Sequence, residues 1–156
     1  MEYEIVNLKE KIVVGLGDRT NNLDPKIGET IGNIWANFCK KEIYDNIKNK
    51  SNQKTLGIYT DYDGNEKDDY TMFAACEVTS AEDIPPKTAS KTIPAGKYAK
   101  FILKGNVPEI IFEFWENLWN MDLDRAFTYD FEEYQHVDNN SITPENDEVH
   151  VYIALK

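Results

Sequence analysis

Cysteine and histidine are scarce in this chain of 156 residues, which has two of each. Two cysteines, Cys39 and Cys76, are too few to stabilise a fold of this size through disulfide bonds. The composition therefore argues against a disulfide scaffold and favours a reducing, cytoplasmic location. His136 and His150 do not stand at a spacing typical of metal ligands, and no cysteine–histidine cluster accompanies them. We therefore predict neither a metal site nor a bound cofactor.

Positive charge is also in short supply. The chain has 17 lysine and arginine residues against 28 aspartate and glutamate residues, which gives a net charge of −11. Binding to the phosphate backbone of a nucleic acid requires clustered lysine and arginine. We therefore expect no direct nucleic-acid binding. An acidic surface attracts cationic small molecules, although it also serves solubility alone.

Long apolar runs are missing as well, and none approaches the length needed to cross a bilayer. The first residues, Met1 to Glu4, are acidic and lack the basic start and apolar centre of a secretory signal. We therefore expect a cytoplasmic protein that does not bind membranes. The length suits a single domain, 1–156, with a hydrophobic core of its own.

The elements that are present follow a repeated order, β-α-β-β, then a linker, then β-α-β-β. In the first half, the patterns predict strands at 12–17, 55–62 and 70–78, and a helix that starts at Asp24 and Pro25 and carries apolar residues as far as Ile47. In the second half, they predict strands at 97–104, 127–134 and 148–155, and a helix capped by Asn106.

The two helices support the repeat residue by residue, because both carry the pattern E-x-I-x-x-x-W, at 29–35 and at 109–115. We predict an α+β fold built from duplicated β-α-β-β modules, about 1–80 and about 92–156, related by a pseudo-twofold axis. Antiparallel sheets with one helix per module would meet edge to edge. A ligand groove would lie between the modules.

The stretch from Asp130 to Tyr134 is predicted to be a short strand, in which side chains alternate between two faces. Asp130, Glu132 and Tyr134 would then share one face, and Phe131 and Glu133 the other. We predict that Phe131 points into the core and that Glu132 points into a cavity lined by aromatic rings. The alternative is a solvated edge strand in an acidic protein.

Four segments carry a family resemblance: L-G-I-Y at 56–59, I-P-A-G-K-Y-A at 93–99, F-E-E-Y at 131–134 and V-Y-I-A-L at 151–155. Together they resemble the GyrI-like, or AraC-type, effector-binding domains, and most nearly the integron-associated effector-binding proteins. The resemblance covers nearly the whole chain. One departure is Ala154, where the family usually has proline.

The resemblance implies a duplicated β-α-β-β fold with a ligand cavity between the halves. In the family, the glutamate of F-E-x-Y lies in that cavity and meets cationic, often aromatic, compounds, and this role falls on Glu132. Members occur fused to DNA-binding regions or as standalone domains, and this chain is expected to be standalone. Some relatives hydrolyse cyclopropane-containing toxins with a glutamate and aromatic neighbours.

The predicted ligand-binding residues are Glu132 and a set of aromatic residues on several elements. An organic cation would gain about 0.5–2 kcal/mol of cation–π attraction from each ring in addition to the charge of Glu132. Each aromatic residue taken alone also suits the core. Glu132 could instead be bonded to a tyrosine hydroxyl or a backbone N–H. The aromatic candidates are Trp35, Tyr59, Tyr98, Trp115, Tyr134 and Tyr152.

Three functions follow from these residues. The first is a small-molecule (effector) binding domain for cationic or amphipathic aromatic compounds, in a drug-sensing or transcription-regulator-related role. The second is hydrolysis of an electrophilic small molecule, by Glu132 with Tyr98 or Tyr134. The third is a protein-interaction module such as a gyrase modulator, with a protein partner or a second copy of the chain. Arg125 is expected to pair with a carboxylate and is assigned no chemistry.

Overall fold

The computed structural model describes residues 1–135 and 147–156; His136 lies outside them. Within these residues, eight strands form one sheet and every pairing is antiparallel. The elements, in chain order, are β1 Glu4–Leu8, β2 Lys11–Thr20, α1 Ile27–Phe38, α2 Lys41–Tyr44, β3 Thr55–Thr60, β4 Tyr70–Val78, β5 Ala89–Ile93, β6 Gly96–Gly105, α3 Val107–Leu118, β7 Tyr129–Tyr134 and β8 Asp147–Ala154.

The order of strands across the sheet is β1-β6-β8-β7-β3-β4-β2-β5. The half β6-β8-β7 corresponds to the half β2-β4-β3, and the two halves meet where β7 pairs with β3. The predicted α+β fold of duplicated modules joined edge to edge is confirmed. At the junction, Gly57 lies opposite Glu132 and Ile58 lies opposite Phe131.

The two outermost strands, β1 and β5, were not predicted from the sequence. β1 lies near the start of the first half of the chain but pairs with β6 of the second module. β5 precedes the second module but pairs with β2 of the first module. Each module therefore receives its edge strand from the other half of the chain.

The first helix is shorter than its apolar pattern predicts. The Asp24 side chain accepts a hydrogen bond from the backbone N–H of Lys26 at 2.9 Å, which forms a turn, and α1 begins only at Ile27. Lys40 adopts an extended conformation and separates α1 from the short α2. Ile43 and Ile47 are buried nonetheless, so the apolar spacing indicated the core and not one continuous helix. The predicted Asn106 cap of α3 is confirmed.

Alternating side chains divide the sheet into two buried faces. On one face, α1 and α3 each cover a separate apolar cluster, one per module. On the other face, residues of both modules form a third cluster that includes Ile58, Tyr98, Phe131 and Tyr152. Phe131 is fully buried there, as predicted. Glu132, its neighbour in β7, consequently points to the face that carries the helices.

Candidate ligand-binding site

A cavity of about 370 Å³ lies between α1 and α3, beside the junction of β3 and β7. Both modules contribute to its walls, so it occupies the position predicted for the groove. Large rings make up much of its lining, which suits a flat or bulky apolar ligand. The aromatic residues nearest the junction are Trp35, Tyr59, Tyr62, Tyr70, Trp115 and Tyr134.

Glu132 lies in the wall of this cavity with only 1% of its surface exposed. Its Oε2 atom accepts hydrogen bonds from the Tyr59 hydroxyl and from Nε1 of Trp115, both at 2.8 Å. Its Oε1 atom accepts a hydrogen bond from the Tyr134 hydroxyl at 2.6 Å. The donors come from β3, α3 and β7, so both modules hold the carboxylate in place.

Burial raises the pKa of Glu132, while the hydrogen bonds from Tyr134, Trp115 and Tyr59 oppose that rise. Burial and the nearby charge of Glu132 hold the pKa values of Tyr59 and Tyr134 well above the ordinary tyrosine value. Both hydroxyls therefore keep their protons and act as donors. All three groups that bond to the carboxylate are neutral, and they spread its charge without cancelling it.

No ion pair formed within residues 1–135 and 147–156 involves Glu132. A buried carboxylate normally has a cationic partner or binds a metal ion. The described part of the chain contains no group of histidine, cysteine, aspartate and glutamate side chains that could hold a metal. Glu132 is thus a buried carboxyl group that lines a cavity and has no counter-ion among the described residues.

Gly57 makes room for this arrangement, because it lies directly opposite Glu132 across the β3–β7 junction. A Cβ atom at position 57 would lie 3.1 Å from Oε1 of Glu132 and 3.1 Å from Cζ2 of Trp35. The missing side chain lets the carboxylate and the indole approach the same point of the sheet. The Trp35 ring then meets the Tyr134 ring edge to face, with centroids 5.5 Å apart.

The structure brings together five of the seven residues predicted for the site. Glu132, Trp35, Tyr59, Trp115 and Tyr134 all line the cavity. A single wall holds residues from α1, β3, α3 and β7 because the two modules pack side by side on one sheet. This clustering depends on the register of β3 against β7, which the sequence did not reveal.

Tyr98 and Tyr152 are the two exceptions, since they lie on the opposite face of the sheet from Glu132. The Tyr98 hydroxyl donates to the carbonyl of Pro94 at 2.8 Å, and the Tyr152 ring stacks on Phe131 with centroids 4.7 Å apart. Burial raises the pKa of each to about 12. Both are core residues, and Tyr98 cannot serve as a proton donor beside Glu132.

A second buried carboxylate, Asp130, lies on the same face of β7, as strand alternation predicts, although the sequence assigns it no role. It is fully buried and pairs with Nη2 of Arg125 at 2.8 Å. It also accepts hydrogen bonds from the Tyr62 hydroxyl at 2.8 Å and from the backbone N–H of Ala154 at 2.9 Å. The expectation that Arg125 pairs with a carboxylate is confirmed, and Asp130 is the partner.

Comparison with known proteins connects this geometry to a family. The model of a family described as integron-associated effector-binding proteins matches residues 4–155. The chain belongs to this family. The predicted resemblance is thereby confirmed, and so is the prediction of an effector-binding domain. YobU of Bacillus subtilis (strain 168), which is named for a role in transcriptional regulation, is 28% identical over 157 residues, covering 97% of this chain and 96% of YobU.

Solved structures of similar proteins share the fold over nearly the whole effector-binding chain. The integron cassette protein VCH_CASS2, from the mobile metagenome of Vibrio cholerae, is 26% identical, with a TM-score of 0.76 and coverage of 99% of this chain and 95% of that one. SAV2435 bound to tetraphenylphosphonium is 19% identical, with a TM-score of 0.77 and coverage of 100% of this chain and 94% of that one.

No helix in the parts of the chain that the structure describes could span a membrane. None of them combines the length and the apolar composition that a bilayer-spanning segment requires. The longest, α1 and α3, have 12 residues each, against about 20 for a transmembrane helix. Both use their apolar sides to cover the sheet and the cavity.

Proposed function

We propose that this protein binds organic cations with aromatic or other apolar substituents in the cavity beside Glu132. The observation that carries the proposal is a buried carboxylate, 1% exposed, whose three hydrogen-bond donors are all neutral. Burying such a charge costs free energy that the surrounding protein does not recover through an ion pair. A bound cation supplies the missing counter-charge.

The hydrogen bonds to Glu132 also define the kind of cation. Two donors already occupy Oε2 and one occupies Oε1, so a ligand needs charge and ring contacts more than N–H groups of its own. Aromatic faces add about 0.5–2 kcal/mol each. Neither charge nor ring contact dictates a detailed shape, which favours a site that accepts many compounds. The tetraphenylphosphonium bound to SAV2435, a cation without N–H groups, supports the proposal.

We place this binding activity in a regulatory or drug-sensing context in the cytoplasm. The name of YobU supports a role connected with transcription. The two cysteines are free thiols, which supports a reducing compartment. A net charge of −11 argues against direct contact with DNA, so a regulatory output would pass through a protein partner or a second copy of the chain.

Titration with tetraphenylphosphonium tests the proposal, with Glu132→Gln as the decisive variant. Removing the charge is expected to weaken binding by at least about tenfold, or ~1.4 kcal/mol, whereas neutral triphenylphosphine oxide should bind parent and variant alike. Glu133→Gln is the matched control, because Glu133 is the neighbouring buried glutamate on the other face of β7. Equal affinity of parent and Glu132→Gln for the cation would remove Glu132 from the site.

One observation favours hydrolysis as a second candidate function. The Tyr134 hydroxyl lies 2.6 Å from Oε1 of Glu132, and burial raises the pKa of that carboxyl, which suits it to proton transfer. Incubation with a strained electrophile, followed by chromatography of the products, tests this function. Turnover lost in Glu132→Gln and kept in Tyr98→Phe would support it, because Tyr98 lies on the far face.

A further inference from the structure

Arg125 also lies in the wall of the same cavity. Its side chain is largely buried, and Nη2 donates to Asp130 while the guanidinium carbon lies 4.3 Å from the centre of the Phe127 ring. Within residues 1–135 and 147–156, the Nε atom is buried and has no hydrogen-bond partner. A guanidinium has five N–H donors in a fixed fork, so Arg125 has donors to spare.

Several other polar side chains in the cavity wall donate hydrogen bonds within the protein. The Tyr62 hydroxyl donates to Asp130, and the Tyr70 hydroxyl donates to Oδ1 of Asn22. Nδ2 of Asn22 donates to the carbonyl of Glu66. Burying a donor without a partner costs free energy. A ligand in the cavity cannot reach the buried Nε, but Nη1 is not among the buried atoms and makes no hydrogen bond within residues 1–135 and 147–156, so it can donate to an acceptor on the ligand.

The charge balance decides which acceptor would fit. Asp130 lies 2.8 Å from Nη2 and neutralises the guanidinium, and the uncompensated charge of Glu132 is in the same cavity. An anionic group on the ligand would meet no net positive charge here. A neutral oxygen, such as a carbonyl or an ether, can accept a hydrogen bond without that penalty.

We propose that Arg125 donates a hydrogen bond to the bound ligand, and that the ligands of this protein are organic cations that also carry a neutral acceptor oxygen. This inference rests on the proposed function, since Glu132 holds the cationic group. Asp130 and Glu132 are alternate residues on one strand face, about 7 Å apart along β7. The acceptor oxygen accordingly lies at a similar distance from the cationic centre.

A matched pair of probes tests the proposal by calorimetry: (4-acetylphenyl)trimethylammonium and (4-isopropylphenyl)trimethylammonium. They share charge and number of non-hydrogen atoms, but only the first has a carbonyl oxygen, placed across the ring from the nitrogen. Without a hydrogen bond the more apolar isopropyl probe should bind better. We expect the acetyl probe to bind about tenfold more tightly, as for a hydrogen bond to a charged donor.

Equal affinities, or a preference for the isopropyl probe, would overturn the role of Arg125 while the proposed function stands. Failure of both probes to bind would count against the proposed function itself. The double variant Arg125→Met with Asp130→Asn removes both charges together, so neither is left unpaired. It should lose the preference for the acetyl probe, and a preference that persists would also overturn the inference.

Infrared spectroscopy of the parent protein gives a test that does not depend on the variant folding. The carbonyl stretch of the bound acetyl probe should move to lower wavenumber than in an apolar solvent, because a guanidinium N–H polarises the C=O bond. A band at the position found in the apolar solvent would overturn the hydrogen bond to Arg125.

Discussion

Asp130 and Glu132 are two buried carboxylates on one face of one strand, and they are held in different ways. Asp130 has a guanidinium partner and a backbone N–H, whereas Glu132 has two hydroxyls and an indole. The first charge is matched by the protein and the second is not. Asp130 therefore has its counter-ion within the fold, whereas the proposed function assigns the counter-ion of Glu132 to the ligand.

The largest expected effect comes from breaking the matched pair. Asp130→Ala leaves Arg125 buried without its partner and should lower the free energy of unfolding by about 3–5 kcal/mol. Glu132→Gln leaves no ion unpaired and should change it by less than about 1 kcal/mol. Urea denaturation of both variants measures the contrast. Similar losses in the two variants would show that the carboxylates do not differ in the way described.

Gly57 provides a further test of the difference between Asp130 and Glu132. Across the β3–β7 junction, Gly57 lies opposite Glu132, whereas Tyr59 lies opposite Asp130. Gly57→Ala places a methyl group at 3.1 Å from both Glu132 and Trp35. The crowding should cost about 1–3 kcal/mol and weaken binding of tetraphenylphosphonium. Calorimetry and thermal unfolding measure the two effects. Gly32→Ala is a suitable control, since a Cβ at that position meets no atom within 4 Å and Gly32 does not line the cavity. Unchanged ligand affinity would show that Gly57 does not shape the site.

The pH dependence of cation binding tests whether Glu132 has a higher pKa than an exposed glutamate. Because burial raises the pKa of Glu132, protonation begins at a higher pH than for an exposed glutamate. Affinity for a cation should fall by about tenfold or more as the pH drops through that raised pKa, and binding to Glu132→Gln should stay level. A parent protein whose cation binding does not change on acidification would contradict the prediction.

The raised pKa of Glu132 affects folding stability in the opposite direction to ligand binding. The folded state binds a proton at Glu132 more readily than the unfolded state, so the stability of the parent falls as the pH rises from the ordinary glutamate pKa through the raised one. Glu132→Gln should lack this decrease. Chemical denaturation of both proteins across the acidic range measures it. A parent whose stability rises relative to the variant over that range would reverse the assignment.

The smallest expected effect is that of Tyr98→Phe on ligand binding. Tyr98 lies on the far face, where its hydroxyl bonds to Pro94, so the change should leave cation affinity within about twofold while costing about 1 kcal/mol of stability. Tyr59→Phe is the matched variant on the near face, where a donor to Glu132 is lost. Titration and denaturation of both variants test the distinction between the faces.

Much of this fold could be predicted from the sequence, because strand alternation and helix periodicity depend on residues close together in the chain. The alternation at 130–134 placed Phe131 in the core and Glu132 on the other face, and Asn106 does cap α3. The pattern E-x-I-x-x-x-W marked the duplicated helices. Such patterns depend only on residues a few positions apart, so the sequence contains them in full.

The features that were missed depend on contacts between distant parts of the chain. The aromatic residues Tyr98 and Tyr152 suit a cavity wall or a core equally well, and only the strand register places them beside Phe131. The partner of Asp130 could not be inferred, because Arg125 reaches it through a bend that includes Phe127 in a left-handed conformation. Patterns within a segment do not encode either relationship.

The exchange of β1 and β5 has a consequence for how the molecule could be divided. A cut in the linker between β4 and β5 would yield two fragments, each holding the outer strand that completes its counterpart. Neither fragment alone would contain a complete half-sheet, and the cavity would form only when the two fragments associate. The architecture therefore lends itself to split-protein complementation, in which recovery of the ligand-binding site would report that the fragments have reassembled.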